Sequence, residues 1–216
     1  VYQKNSTNDK EMREAEAEKN IIISEEDLSS ISALNVEQRA AYHRILSCIN
    51  NNQSKCFFID GLGGTGIIFL YKALLATIRS QQQIALATAT SGVAASILPG
   101  GRTAHSRFKI PLQDDENIVC NISKQSTLAQ LIRDAKLIIW DEATMAKRKS
   151  IEVFSRMLQD IMTNPAPFGG KVVVFCGNFR QTLPVITHGT RDEIIKASLV
   201  MSPLWNDLRR YICSKI

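Results

Sequence analysis

At 216 residues and 44% hydrophobic content, the chain is long enough for one domain with a buried core and ordinary in composition for a globular fold. No apolar run approaches the roughly 20 residues of a membrane helix, and the polar, charged start is unlike a secretory signal. The net charge of +5 hides an asymmetry: residues 1–30 hold four basic and eight acidic side chains, whereas the remainder holds 22 and 13, an excess of nine positive charges that suits a polyanionic partner.

Residues 1–30 have no aromatic anchor beyond Tyr2 and no sustained apolar period. They are expected to form a solvated, partly disordered leader with some helix in residues 11–19. Glu14, Glu16 and Glu18 read as a solvated face. The chain starts on Val1, as a fragment or a processed product would. Cys48, Cys56, Cys120, Cys176 and Cys213 are odd in number and contain no C-x-x-C pair, which favours reduced core thiols in an intracellular protein. Three widely spaced histidines argue against a zinc site.

From Leu34 the texture changes. Asn35 caps a helix whose third residue is Gln38, a capping-box spacing, with Ala41, Ile45, Leu46 and Ile49 as its apolar face. Cys56-Phe57-Phe58-Ile59-Asp60 reads as a strand, and a glycine loop then opens a helix that runs to about Arg79 with Phe69, Leu70, Ala73, Leu74 and Ile78 at helical spacing. Residues 84–89 read as a buried strand and 91–98 as a short helix stopped by Pro99-Gly100-Gly101. Helix is predicted over 127–135, strand over 137–140, helix over 150–162 and strand over 171–176, with a mainly helical C-terminal third. Short apolar strands alternating with helices predict an α/β fold, a parallel sheet covered by helices on both faces. In such sheets ligands bind at the carboxyl ends of strands, where the motifs fall.

The first motif is Gly61-Leu62-Gly63-Gly64-Thr65-Gly66-Ile67-Ile68. It has the frame of the phosphate-binding loop G-x-x-x-x-G-K-[ST] but carries isoleucine where lysine and a hydroxyl residue belong. Glycines let backbone N–H groups turn inward around phosphate oxygens, and the helix N-terminus adds a favourable dipole. Gly61, Gly63, Gly64, Thr65, Gly66, Ile67 and Ile68 are therefore the nucleotide-binding candidates. The second motif is the apolar strand Leu137-Ile138-Ile139-Trp140 ending in Asp141-Glu142, the Walker B arrangement. Its first carboxylate suits Mg²⁺ and its second an attacking water. The third is Gly177-Asn178-Phe179-Arg180-Gln181, where Gln181 is placed to orient water or sense the γ-phosphate.

Together these segments resemble the PIF-type (petite integration frequency) DNA helicases, superfamily-one motors related to RecD, including versions carried by plant genomes and Helitron transposons. The resemblance runs over residues 34–209 and rests also on Leu34-Asn35-Val36-Glu37-Gln38, on Gly100-Gly101-Arg102-Thr103-Ala104-His105-Ser106, on Leu183-Pro184 and on Ser202-Pro203-Leu204-Trp205. It implies a RecA-like P-loop NTPase fold, ATP with Mg²⁺ as cofactor and single-stranded DNA as partner. It further implies unwinding coupled to ATP hydrolysis in repair, recombination and telomere maintenance, in the nucleus or alternatively the mitochondrion. By the same resemblance Gln38 recognises adenine, Asp141 binds magnesium, and Glu142 and Gln181 are catalytic. DNA would lie along residues 88–108, with Arg102, His105, Arg107 and Lys109 near phosphates and Phe108 stacking a base. Phe108 as core, His105 as a loop cap and Gln38 as a helix cap remain alternatives.

The departures bear on mechanism. Ile67 cannot bring charge to phosphates and Ile68 cannot ligate magnesium. Lys72 is no substitute, because five helical residues place it about 7.5 Å further along and roughly 140° around. Asn178 replaces the family's usual aspartate, and the second motor domain of the family is not within these 216 residues. A non-hydrolysing module for nucleotide and single-stranded DNA, and a decayed transposon-derived fragment, are the alternatives to an active helicase.

Overall fold

The computed structural model describes residues 2–61, 66–111 and 119–213, with side chains from residue 9 onward. In chain order the elements are α1 (Tyr2–Lys19), α2 (Glu25–Ser29), α3 (Val36–Asn50), β1 (Cys56–Gly61), α4 (Ile67–Ser80), β2 (Ile84–Ala89), α5 (Gly92–Ile97), β3 (Arg102–Thr103), α6 (Ala104–Phe108), α7 (Thr127–Asp134), β4 (Ala135–Asp141), α8 (Arg148–Met162), β5 (Val173–Gly177), α9 (Arg191–Ala197) and β6 (Leu208–Cys213). The strands pair in the order β3-β2-β4-β5-β1-β6, all parallel.

Successive side chains of a strand point to opposite faces, and the two apolar layers follow that rule. Phe58, Leu86, Ile138, Trp140 and Phe175 join a cluster with α6, α7 and α8. Phe57, Ile59, Ala87, Ile139, Val174 and Cys176 join the other, beneath α3 and α4. The four central strands were readable as apolar runs because both of their faces are covered. All five cysteines are free and buried.

Two expectations fail at the ends of the chain. The C-terminal third is not mainly helical: α9 is short, and β6 pairs with β1 along its whole length, Cys56 opposite Leu208 through Gly61 opposite Cys213. As an edge strand, β6 exposes Arg209, Arg210 and Ile212, so it lacks the apolar run that marks the inner strands. At the other end, helix extends through Tyr2–Lys19, and Glu14 and Glu18 are buried instead of lying on a solvated face. Arginines of the domain neutralise them; Glu16 alone of the three remains exposed.

Candidate functional site

The sheet register aligns the strand ends. Asp60 of β1 lies opposite Gly177 of β5, and Ala89 of β2 lies opposite Asp141 of β4. Gly61, Glu142 and Asn178 each follow one of these ends and so share one edge of the sheet. Gly63, Gly64 and Thr65 lie outside the described residues. The turn resumes at Gly66, whose left-handed φ of 65° at the head of α4 is accessible to glycine at little cost. A side chain there would also press on Phe69, since a Cβ would come within 3.1 Å of its ring.

Ile67 and Ile68 open α4 and are partly buried against the apolar layer under α3 and α4. No polar group reaches phosphate from either position. Lys72 is held on the α2 side by Glu26 at 3.2 Å and Asp27 at 3.6 Å. It therefore does not supply the missing charge.

Gln38 is buried and completes the capping box: its Oε1 accepts the Asn35 N–H at 3.0 Å, and its own N–H reaches Asn35 Oδ1 at 2.9 Å. Its Nε2 lies 3.9 Å from the Cβ position of Gly66. Capping and proximity to the loop thus coexist, with the carbonyl oxygen committed to the cap.

The acidic pair is held from several sides. Asp141 Oδ1 accepts the Tyr71 hydroxyl at 3.1 Å and the Glu142 N–H at 2.8 Å. Burial raises the Asp141 pKa above the usual carboxylate value, and these two hydrogen bonds oppose the shift. Glu142 sits in the left-handed region at φ 52°, an uncommon conformation for a side-chain-bearing residue. Its Oε2 accepts the Ser91 N–H at 3.2 Å and its carbonyl accepts the Thr90 hydroxyl at 2.8 Å, while Trp140 Nε1 donates to Thr90 Oγ1 at 3.0 Å. Tyr71, Thr90 and Ser91 were not apparent from motif reading. Tyr71 had one signal: a tyrosine three residues past Ile68 on an apolar helix face needs a partner for its hydroxyl.

A raised folded-state pKa means that the native state holds the Asp141 proton more tightly than the unfolded chain does. The resulting stabilisation is complete below the ordinary carboxylate range and is lost as pH rises through the folded pKa. Asp141→Asn is therefore expected to raise the melting temperature at neutral pH, by calorimetry; a lower value would contradict the burial cost.

Past β5, Asn178 is buried, and its Oδ1 accepts the Arg180 N–H at 2.9 Å. Gln181 is exposed, its backbone N–H bonded to the Asn178 carbonyl at 3.1 Å. Phe179 packs on Phe58 and Trp205, which anchors this turn to the sheet. A Cβ at Gly177 would come within 2.7 Å of Thr144, so glycine lets the turn after the acidic pair approach β5.

The proposed DNA segment divides. Arg102, His105 and Lys109 are partly exposed. Burial lowers the His105 pKa and so favours the neutral imidazole. Both Arg107 and Phe108 are buried, which corrects the expectation that Phe108 stacks a base; Arg107 is covered by Glu18 of α1. Phe108 is fully buried, 4.5 Å from Phe154 and 6.4 Å from Trp140 between ring centroids. Arg107 pairs with Glu18 and donates to the Gly100 carbonyl at 3.3 Å. Helical periodicity alone cannot say which side of a five-residue helix meets the core.

The parallel sheet, glycine turn and paired acids define a RecA-like P-loop α/β domain. The PIF1-like helicase family model matches residues 33–214, and the chain belongs to that family. An ATP-dependent DNA helicase Pif1 of Psychrobacter sp. (strain PRwf-1) is 30% identical over 163 residues, covering 74% of this chain and 24% of that protein. The ATP-dependent DNA helicase PIF1 of Candida albicans is 28% identical over 162 residues, covering 74% and 17%. The chain thus spans about a quarter or less of these relatives. The crystal structure of the Candida albicans Pif1 helicase superposes with a TM-score of 0.70 at 26% identity, covering 85% of this chain and 40% of that one. A Bacteroides Pif1 helicase crystallised with ADP-AlF3 and single-stranded DNA shares the fold at a TM-score of 0.66 and 22% identity, covering 91% and 43%.

Magnesium and ATP, which the family implies, fit this donor set poorly. Asp141 offers a carboxylate, but position 68 has no side-chain oxygen and position 67 no charge. No catalytic step through a bound metal follows from these residues.

Proposed function

We propose that these residues form a helicase motor lobe of the PIF1-like type that binds single-stranded DNA, holds nucleotide weakly and does not hydrolyse it. One observation carries the reading: Ile67 and Ile68 pack as apolar side chains at the head of α4, while Asp141 and Glu142 stay fixed at the neighbouring strand end. The acidic half of the site remains ordered and the cationic half is absent. Without a preorganised donor on the phosphates, catalysis falls by on the order of 10²–10³ for each lost group. The backbone turn at Gly66 and Gln38 beside it supply what nucleotide affinity remains.

DNA binding is supported by the basic body, by Arg102 and Lys109 at the surface, and by family membership. Roles in repair, recombination and telomere maintenance, and action in the nucleus, rest on family grounds alone; unwinding would need the hydrolysis that this lobe lacks. Two titrations of the unaltered protein test it, one with a fluorescent ATP analogue and one with labelled oligothymidylate. DNA binding that weakens with salt, alongside weak nucleotide binding indifferent to magnesium, is expected. Tight magnesium-dependent nucleotide binding, or no DNA binding at low salt, would sink the reading.

A further inference from the structure

We infer that α1 is an acidic plug that occupies, within the same chain, the surface that would hold a DNA backbone, so that single-stranded DNA must displace it to bind. This rests on the DNA reading above. α1 lacks the apolar stripe that normally docks a surface helix. Its only described buried apolar side chain is Ala15, and Met12 is 49% exposed. Carboxylates make the contact instead. Glu11, Glu14 and Glu18 recur at spacings of three and four, which puts them on one helix face.

Their partners lie on the segment expected to meet DNA or beside it. Glu14 Oε1 pairs with Arg102 Nη1 at 2.7 Å. Glu18 Oε1 pairs with Arg107, and its Oε2 stands 3.8 Å from Arg79 Nη2. Glu11 Oε2 accepts the Leu128 N–H of α7 at 3.5 Å. Arg79 is fixed by the Pro99 and Ala85 carbonyls at 2.8 and 2.9 Å, so its charge stays on this face with or without α1. Three guanidinium groups therefore face two carboxylates, an excess of positive charge that a phosphate backbone would match.

The mode of attachment makes the helix displaceable. Contacts built on apolar area have no counterpart in a polyanion, whereas carboxylates held by arginines can be exchanged for phosphate oxygens on the same guanidinium groups. The chain after α1 is seated independently: Ile21 packs on Gly100, where an added Cβ would come within 2.4 Å of Ile21 Cδ1. Anchored there, a displaced α1 stays close to its site and competes as an intramolecular anion at high effective concentration.

Glu14→Gln with Glu18→Gln removes the competing charge and keeps the side-chain shape. Fluorescence anisotropy with labelled oligothymidylate should show binding roughly tenfold tighter than for the unaltered protein, with a steeper salt slope as more phosphates are engaged. Unchanged affinity in the folded double variant overturns the plug and leaves the DNA reading standing. No binding by either protein at low salt overturns both. Because Glu18→Gln leaves Arg107 buried without a carboxylate, two further measurements avoid that change. Glu14→Gln alone should tighten binding in the same direction. Hydrogen exchange on the unaltered protein should show that oligothymidylate removes protection from α1 and leaves α8 unaffected; protection of α1 unchanged under saturating DNA refutes displacement.

Discussion

Replacing Ile67 by lysine and Ile68 by threonine is expected to raise affinity for a fluorescent ATP analogue by roughly 10- to 100-fold and to make that affinity magnesium-dependent. A hydrogen bond to a charged group contributes about 1.5–3 kcal/mol, and each 1.4 kcal/mol is a factor of ten in affinity. The described part of the receiving site is in place. Gly66 turns the backbone, α4 presents its N-terminus, and Asp141 stands at the end of β4 with Tyr71 and Glu142 N–H on one oxygen. The two isoleucines are only partly buried, so replacing them removes little packing. No gain in affinity would mean that the turn at Gly66 is not a working phosphate cradle.

Phe108→Ala is expected to cost about 3–5 kcal/mol of stability, in the range of large buried aromatics truncated in a core. Phe108 has no exposed surface and sits among Phe154, Trp140, Leu128 and Ala129 in the cluster beneath α6, α7 and α8. Denaturant unfolding checks this. A base-stacking Phe108 would behave differently: it would lose about 1–3 kcal/mol of DNA affinity with stability nearly intact. A stability loss under 1 kcal/mol would restore the stacking role and place the side chain outside the core.

The contrast between Phe108 and Asp141 shows where sequence reading succeeds. Asp141 and Glu142 were legible because a buried strand ends in them, and an apolar run followed by two acids constrains both position and direction. The capping box at Asn35 and Gln38 was legible for the same local reason: the two residues satisfy each other within one helical turn. Phe108 depends on α8 and β4, which arrive through distant parts of the chain. β6 escaped detection because its register is set by β1, about 150 residues earlier, with no alternation of its own. Glu14 and Glu18 read as solvated because nothing local announces Arg102, Arg107 and Arg79 as partners. Tyr71 lies between these cases: its helix position was clear and its partner was not.

Gly61, the acidic pair and the turn after β5 share one edge of a parallel sheet. What differs is chemical: Asn178 after β5 and the two residues at the head of α4. On the proposed reading, Ile67 and Ile68 touch the apolar layer under α3 and α4 and forgo the charge and the hydroxyl, which would separate fold from catalysis at two adjacent positions.

Steady-state ATP turnover by the unaltered protein, with magnesium and saturating single-stranded DNA present, tests that separation most directly. Turnover indistinguishable from the rate without protein is expected. Turnover matching an intact helicase, abolished by Glu142→Gln, would contradict it and show that another group does the work of the missing lysine.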